Sequence, residues 1–254
     1  MKANVSLITS VKNGEKYLDE CVRSILEQSY PYFKYYIYVD MSFDNSLSIA
    51  RKWEQMDDRI TVINGTKVSA GIGEVFSYVI DRYVDTKYVA IVDADDFIHQ
   101  ECLKETVKVL DNNENAGLVY TLAFLIDGED KMLGIDKRAQ QEFVQENFLL
   151  SFIPFHFRLI RMRDYEKTEG YSAEMELCED FDLCLQLSEV TKIVKCNIPL
   201  YFYRRHEQNQ SRERHIDMVH YVLKAIQRAL DRRGLAEKLD VKAKFHYEIF
   251  LEEK

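Results

Sequence analysis

Three carboxylates fall within four residues at Asp93-Ala94-Asp95-Asp96, directly after the apolar run Tyr88-Val89-Ala90-Ile91-Val92. Crowded like charges at the mouth of a buried strand repel one another, and no structural need calls for three. Hard divalent cations such as Mg²⁺ and Mn²⁺ take oxygen ligands, commonly one or two carboxylates together with phosphate oxygens. A cation bound here would relieve the repulsion. It would also bring in a diphosphate that the acids alone would reject. A polar loop with one Asp capping the next helix is the plain alternative, but a cap uses one Asp and not three. A second acidic pair, Glu179-Asp180, stands just before an apolar-periodic stretch, where it suits a helix N-terminus and its dipole.

The elements that must position these acids follow from hydrophobic periodicity. Short β-branched, aromatic or apolar runs at 5–9, 35–39, 60–63, 88–92 and 118–120 read as strands. Stretches at 15–28, from Asp44-Asn45-Ser46 to about Met56, 73–84 and 99–111 carry helical spacing. Strands alternating with helices mean βαβ units and a mostly parallel sheet. Ligands then bind outside the carboxyl ends of the strands. Three polar groups lie at those ends: Thr9 to Asn13, Asp40 to Ser46, and Asp93 to Asp96. Right-handed crossovers predict that they converge on one crevice.

The second half is less regular. Asp127-Gly128-Glu129-Asp130 reads as a hairpin turn. The periodicity predicts a strand within 152–162, an amphipathic helix over 179–190 and a strand over 192–203. Two closing helices, 215–233 and 235–251, are separated by Gly234. Trp53, the only tryptophan, reads as packing.

At 254 residues the chain can bury one large core. Nine Gly and three Pro are few, which argues against barrels or sandwiches that turn every dozen residues. The net charge of −9 repels phosphate backbones, so no nucleic-acid partner is expected. The acidic excess lies before residue 204, and the remainder is net basic. Five cysteines, an odd number with no CxxC pair, imply reduced thiols and a cytoplasmic setting. No apolar stretch approaches a membrane span; the basic tail could meet a membrane surface.

Four stretches, in order, resemble family 2 glycosyltransferases of the GT-A fold. They are VSLITSVKNG (5–14), YLDECVRSILEQSY (17–30), DMSFDNS (40–46) and VAIVDADD (89–96). Glu169-Gly170-Tyr171, Glu179-Asp180-Phe181-Asp182-Leu183 and Tyr203-Arg204-Arg205-His206 resemble the family's later motifs. The resemblance implies an α/β, Rossmann-like, mixed but mostly parallel central sheet flanked by helices. Residues 1–211 would form that domain, with 1–122 the nucleotide-sugar-binding half and 123–211 the acceptor half. Residues 212–254 would be a helical extension packed on it.

The implied activity is inverting transfer of a sugar from a nucleotide diphosphate donor, a UDP-sugar foremost, to an acceptor hydroxyl. Thr9, Asn13, Asp40, Asp93, Ala94 and Asp95 would bind the nucleotide sugar. Asp95 would hold Mn²⁺ or Mg²⁺, with Asp96 and His206 as further candidate ligands. Asp180 would be the general base, since a hydroxyl attacks well only as a carboxylate takes its proton. Arg204 and Arg205 could meet phosphate oxygens or form a solvated basic turn. Phe152, Phe155, His156 and Tyr171 are candidates for stacking on an acceptor, which could be a saccharide, a lipid-linked carrier or a protein. The pattern departs from the family at Ser10, Lys12, Val39, Met41 and Gln186, and 68–80 has no Arg. These departures imply an altered base pocket. A non-catalytic nucleotide-sugar-binding homologue stays open, and so does a nucleotidyltransferase. A phosphatase with an Asp nucleophile is disfavoured, because no Lys-bearing companion motif is evident.

Overall fold

Strand β1 (Val5–Val11) is buried on both faces, with Val5, Leu7 and Val11 in one apolar layer and Ile8 in the other. That division follows from the two-residue period of a strand. A computed structural model of the chain describes residues 3–66, 69, 71–141, 143–144, 149, 156–206 and 214–241. β2 (Phe33–Val39), β3 (Ile60–Asn64) and β4 (Tyr88–Ile91) complete a parallel set. The helices between them are α1 (Leu18–Leu26), α2 (Ser46–Met56) and α3 (Ile72–Tyr83). α1 turns Leu18, Cys21, Val22 and Ile25 inward, the spacing of one helical face. Each large aliphatic side chain buried there contributes about 1.5–3 kcal/mol.

Beyond β4 come β5 (Phe97–Ile98), α4 (Cys102–Asp111), β6 (Ala116–Asp127) and β7 (Met132–Ile135). Then follow α5 (Lys137–Gln140), β8 (Arg158–Arg161), α6 (Met162–Tyr165), α7 (Glu179–Val190), β9 (Lys192–Arg205) and α8 (His215–Arg232). The sheet order is β3-β2-β1-β4-β8-β6-β9-β5, with β7 hanging on β6. β8 runs against β4 and β6, whereas β6 and β9 are parallel to each other. The sheet is therefore mixed and mostly parallel, as expected. Helices α1, α2 and α4 cover one face, and α3, α7 and α8 cover the other.

The sequence-based expectations hold best where periodicity is strongest. The hairpin turn forms: Asp127 Oδ1 accepts the N–H groups of Glu129 and Lys131, and β6 and β7 pair antiparallel. Four differences have physical reasons. β5 is two residues long, too short to show a period, and forms because β9 offers it an edge. The strand expected within 152–162 is confined, among the described residues, to β8, after which the chain turns helical at Met162. α7 is not amphipathic in effect. Every residue from Phe181 to Ser188 is buried, because α8 packs over the side that would otherwise meet water. Residues 235–241 form turns and coil rather than the start of a second closing helix, and 242–251 lie outside the described residues. Among the described residues no helix is long and apolar enough to cross a membrane.

Candidate active site

The β1–α1 and β2–α2 loops are tied together at the carboxyl ends of their strands. Asn13 takes a left-handed φ of 53°, its N–H donates to Ser42 Oγ (3.0 Å), and its Oδ1 accepts from Phe43 N (2.8 Å). Gly14 N donates to Ser46 Oγ at 2.9 Å. Met41, where the resembling family carries Gly, keeps a left-handed φ of 44°. That backbone costs an ordinary L-residue about 1–2 kcal/mol, so the turn is retained at some strain. Asp40 is buried, with Ser69 Oγ donating to its Oδ2 at 2.9 Å and no hydrogen-bond partner for Oδ1. Val39 faces the apolar layer beneath the loop.

At the end of β4 the three acids separate by environment. Asp93 and Asp95 keep about a third of their side-chain surface exposed, at 35% and 34%. Asp96 turns inward at 2% exposed, and its Oδ1 accepts Arg204 N at 2.8 Å. Burial pushes the Asp96 carboxyl well above the usual range, and Asp95 and Asp93 add to the shift. Asp93 is pushed up to about 7 by loss of solvent and by Asp95 beside it, while Arg158 pulls the other way. Tyr201, fully buried, accepts Asp93 N at 3.3 Å, and His156 Nε2 lies 3.7 Å from Asp93 Oδ2. Burial pushes the His156 imidazole well below its usual pKa, and its ring stacks on Tyr201 at 4.7 Å.

His206 comes to the acids from the far end of β9. Its Nε2 lies 2.9 Å from Asp95 Oδ2, and its ring stacks on Tyr17 at 5.3 Å. Adjacent ligands of an octahedral cation sit about 3 Å apart when each bond is about 2.1 Å, so this pair fits two corners of one coordination shell. Among the described residues no three His, Cys, Asp or Glu side chains converge on one point. The remaining corners would fall to phosphate and water, the usual arrangement for Mg²⁺.

Arg204 differs from expectation. It is 1% exposed, so it does not lie on a solvated basic turn. Its guanidinium pairs with Glu20 (2.5 Å) and Asp130, donates to Asp95 O (2.7 Å), and lies over the Tyr17 ring at 4.4 Å. It therefore locks the acidic loop to α1 and to the β6–β7 turn. Arg205, next to it, is exposed. Stripping one partner from a buried ion pair costs about 3–5 kcal/mol. Arg204→Met removes the buried charge itself and leaves Glu20 and Asp130 about half exposed, so its cost is expected below that range, about 1.5–3 kcal/mol for the charged hydrogen bonds lost. Urea unfolding measures this directly, and an unchanged midpoint would deny Arg204 the locking role.

On the other flank, α7 opens with Glu179 and Asp180 in its first turn. Asp180 accepts Phe181 N at Oδ1 (2.7 Å) and Arg158 Nη1 at Oδ2 (3.0 Å). Glu179 Oε2 is buried without a hydrogen-bond partner, and burial with Asp180 alongside pushes the Glu179 carboxyl up to about 8. Gln186, standing where the resembling family has Arg, binds Asp182, Gly170 O and Glu169 N, and so fixes the 169–171 segment against α7. α3 approaches that segment so closely that a Cβ on Gly73 would overlap Ser172 O.

The sequence-predicted residues do not all share one surface. Asp95 and His206 meet, Asp93 lies beside His156, and Asp180 sits within electrostatic reach of Asp93. Ala94 is half-buried against the core. Thr9 is fully buried. Its hydroxyl donates to Val92 O (2.8 Å) and accepts from Tyr35 (2.9 Å), so it ties β1 to β4 and β2 beneath the site. Tyr171 is buried against Phe76 and Tyr165, and His156 against Tyr201, so neither presents a stacking face. Phe152 and Phe155 lie outside the described residues. Trp53 packs as expected, with Nε1 donating to Asp19. Arg158 is the residue that sequence reasoning missed. The available signal was a cation inside the apolar run Phe157-Arg158-Leu159-Ile160, since a buried Arg demands a partner.

Comparison with known proteins gives a consistent picture. The model for "Glycosyl transferase family 2" matches residues 6–168. A chondroitin synthase of Pasteurella multocida (strain Pm70) is 26% identical over 211 residues, covering 82% of this chain and 21% of that protein. The chain thus spans about a fifth of that relative's length. The crystal structure of S. aureus TarS 1-349 in complex with UDP-GlcNAc superposes with a TM-score of 0.74 at 18% identity, covering 89% of this chain and 66% of that one. The mannosyltransferase PcManGT from Pyrobaculum calidifontis, in complex with GDP-Man and Mn²⁺, gives 0.63 at 13% identity, covering 94% and 77%. At these identities the two structures speak for the fold.

Proposed function

Because the chain belongs to glycosyl transferase family 2, we propose that it moves a sugar from a nucleotide diphosphate donor to an acceptor hydroxyl with inversion. Asp180 is the general base. The observation that carries this reading is the pairing of Asp95 with His206 on one flank and of Asp180 with Arg158 on the other, with Asp93 between them in electrostatic reach. One flank suits a cation and diphosphate; the other suits a hydroxyl that must lose its proton.

In the reaction the acceptor oxygen forms a bond to the anomeric carbon as its proton passes to an Asp180 oxygen. The bond from that carbon to the diphosphate oxygen breaks, and the electron pair leaves on the nucleoside diphosphate. A divalent cation held by Asp95 and His206 would supply Lewis-acid neutralisation of that leaving charge. Asp93 and Asp40 would orient the donor, through sugar and base hydroxyl or N–H groups. UDP is the favoured nucleotide, in keeping with the UDP-GlcNAc complex of TarS. Mn²⁺ is the favoured cation, in keeping with PcManGT. The five buried, unpaired cysteines suit the cytoplasmic setting expected above.

Thermal unfolding with UDP, GDP and dTDP sugars, each with Mn²⁺ or with EDTA, tests the reading. A ligand that binds only the folded state raises its stability by mass action. The expected result is a rise with a UDP-sugar that requires Mn²⁺ and is accompanied by slow UDP release, with water taking the place of the acceptor hydroxyl. A rise without release points to a binding homologue. No metal-dependent rise with any nucleotide sinks the proposal.

A further inference from the structure

Arg158 occupies an expensive place for a cation. It lies on the central strand β8, opposite Tyr120 of β6 and one residue beyond the Ala90–Leu159 pair with β4, toward the acidic loop. Its side chain is 8% exposed, at a position where strands ordinarily carry an apolar residue. Packing alone gives no reason for a guanidinium there. Its placement against Asp180 does: Nη1 meets Oδ2 at 3.0 Å. The other oxygen of that carboxylate accepts from a backbone N–H in the first turn of α7, that of Phe181. Two anchors from different elements therefore fix the plane of the carboxylate. The groups facing it are Cys178, Glu179 and Cys184 on or beside α7, Tyr171 from the preceding segment, Asp93 from the end of β4, and Arg158 itself. Among these groups Arg158 is the cation, and Glu179 and Asp93 are the acids.

We propose that Arg158 is a positioning residue for the transfer step: it fixes the Asp180 carboxylate for the acceptor hydroxyl. This rests on Asp180 being the base. Arg158 moves no proton. It keeps the accepting oxygen within reach, and displacement of a catalytic group by about 1 Å can cost on the order of 10²-fold in rate. The contribution belongs to turnover and not to donor affinity, because the donor's cation and diphosphate sit on the Asp95 and His206 flank.

The experiment uses the full chain, with release of UDP from the UDP-sugar that stabilises it most, in Mn²⁺. Arg158→Met is expected to lower kcat roughly 10²-fold while the donor KM stays within about threefold. Arg158→Lys is expected to recover a large part of that loss, and guanidinium ion at non-denaturing concentration to restore part of the turnover of Arg158→Ala. In an Asp180→Asn background, Arg158→Met is expected to cost little more, since groups acting as one unit are non-additive. A donor KM that rises with kcat intact, or rate losses that multiply in the double variant, would overturn the proposal. A thermal-unfolding cycle over the same variants keeps it testable apart from activity. Coupled losses in melting temperature support the Arg158–Asp180 unit, and additive losses deny it. A wild-type chain that releases no nucleotide under any condition overturns the reading of the site, whereas additive melting losses in an active enzyme overturn the Arg158 assignment alone.

Discussion

Asp180→Asn is expected to lower turnover by roughly 10²–10⁴-fold while leaving nucleotide-sugar binding near normal, the range for loss of a positioned general base. In barrier terms that is about 2.7–5.4 kcal/mol. The change is nearly isosteric, yet it is not silent structurally. The wild-type carboxylate accepts on both oxygens, from Phe181 N and from Arg158 Nη1. An Asn side chain offers one carbonyl, so one of those donors faces an amide NH₂ and loses its acceptor. A buried donor left unsatisfied costs about 1–3 kcal/mol. The variant should therefore melt lower than wild type, and turnover must be compared per folded molecule. The two effects separate cleanly: the stability loss appears in urea unfolding, and the catalytic loss appears in UDP release from saturated enzyme. Wild-type turnover in a folded Asp180→Asn chain would leave the base unassigned.

Much of this site was legible in the sequence because strand ends are legible. The runs that became β1, β2 and β4 put Asn13, Asp40 and Asp93 at carboxyl ends whatever the details of packing, since parallel crossovers allow few other places. What sequence could not show was which side chains turn toward the opening. Thr9 and Leu7 share a face of β1, and that face packs on α1 through Cys21. A one-residue difference in where a strand ends moves a side chain from crevice to core. Asp96 and Arg204 show the same limit in a different way. Both are charged, both follow motif-bearing segments, and both are spent on holding the loop together. Their partners Glu20 and Asp130 come from α1 and the β6–β7 turn, distant in sequence, so no local pattern announces them. Arg158 was hidden for the opposite reason. Its meaning lies in Asp180, 22 residues away, and a cation in a short apolar run looks local. α7 was read as amphipathic because its covering helix α8 is a separate segment whose docking no period encodes.

Asp95→Ala is expected to abolish the metal-dependent stabilisation by nucleotide while leaving the unliganded protein as stable as wild type or slightly more so. At a ligand concentration of about 100 times Kd, wild type should gain about 2.7 kcal/mol. For a domain of this size that is roughly 5–10 °C in Tm, taking about 2–4 °C per kcal/mol. In the variant the gain should vanish, because one of the two proposed protein ligands is gone and His206 alone holds a hard cation poorly. The unliganded outcome follows from charge. Asp95 is the second-largest cause, after burial, of the upward shifts at Asp93 and Asp96, so removing it relieves a repulsion that the folded state bears without a cation. The lost hydrogen bond to His206 (2.9 Å) works against that relief, and the two nearly offset. A site kept for structure alone would behave the other way: its acids would stabilise the unliganded fold, and Asp95→Ala would lower Tm with EDTA present. Melting curves in EDTA, in Mn²⁺, and in Mn²⁺ with UDP-sugar decide between these cases. Retention of the full Mn²⁺-dependent shift by Asp95→Ala would take the cation away from the Asp95–His206 pair.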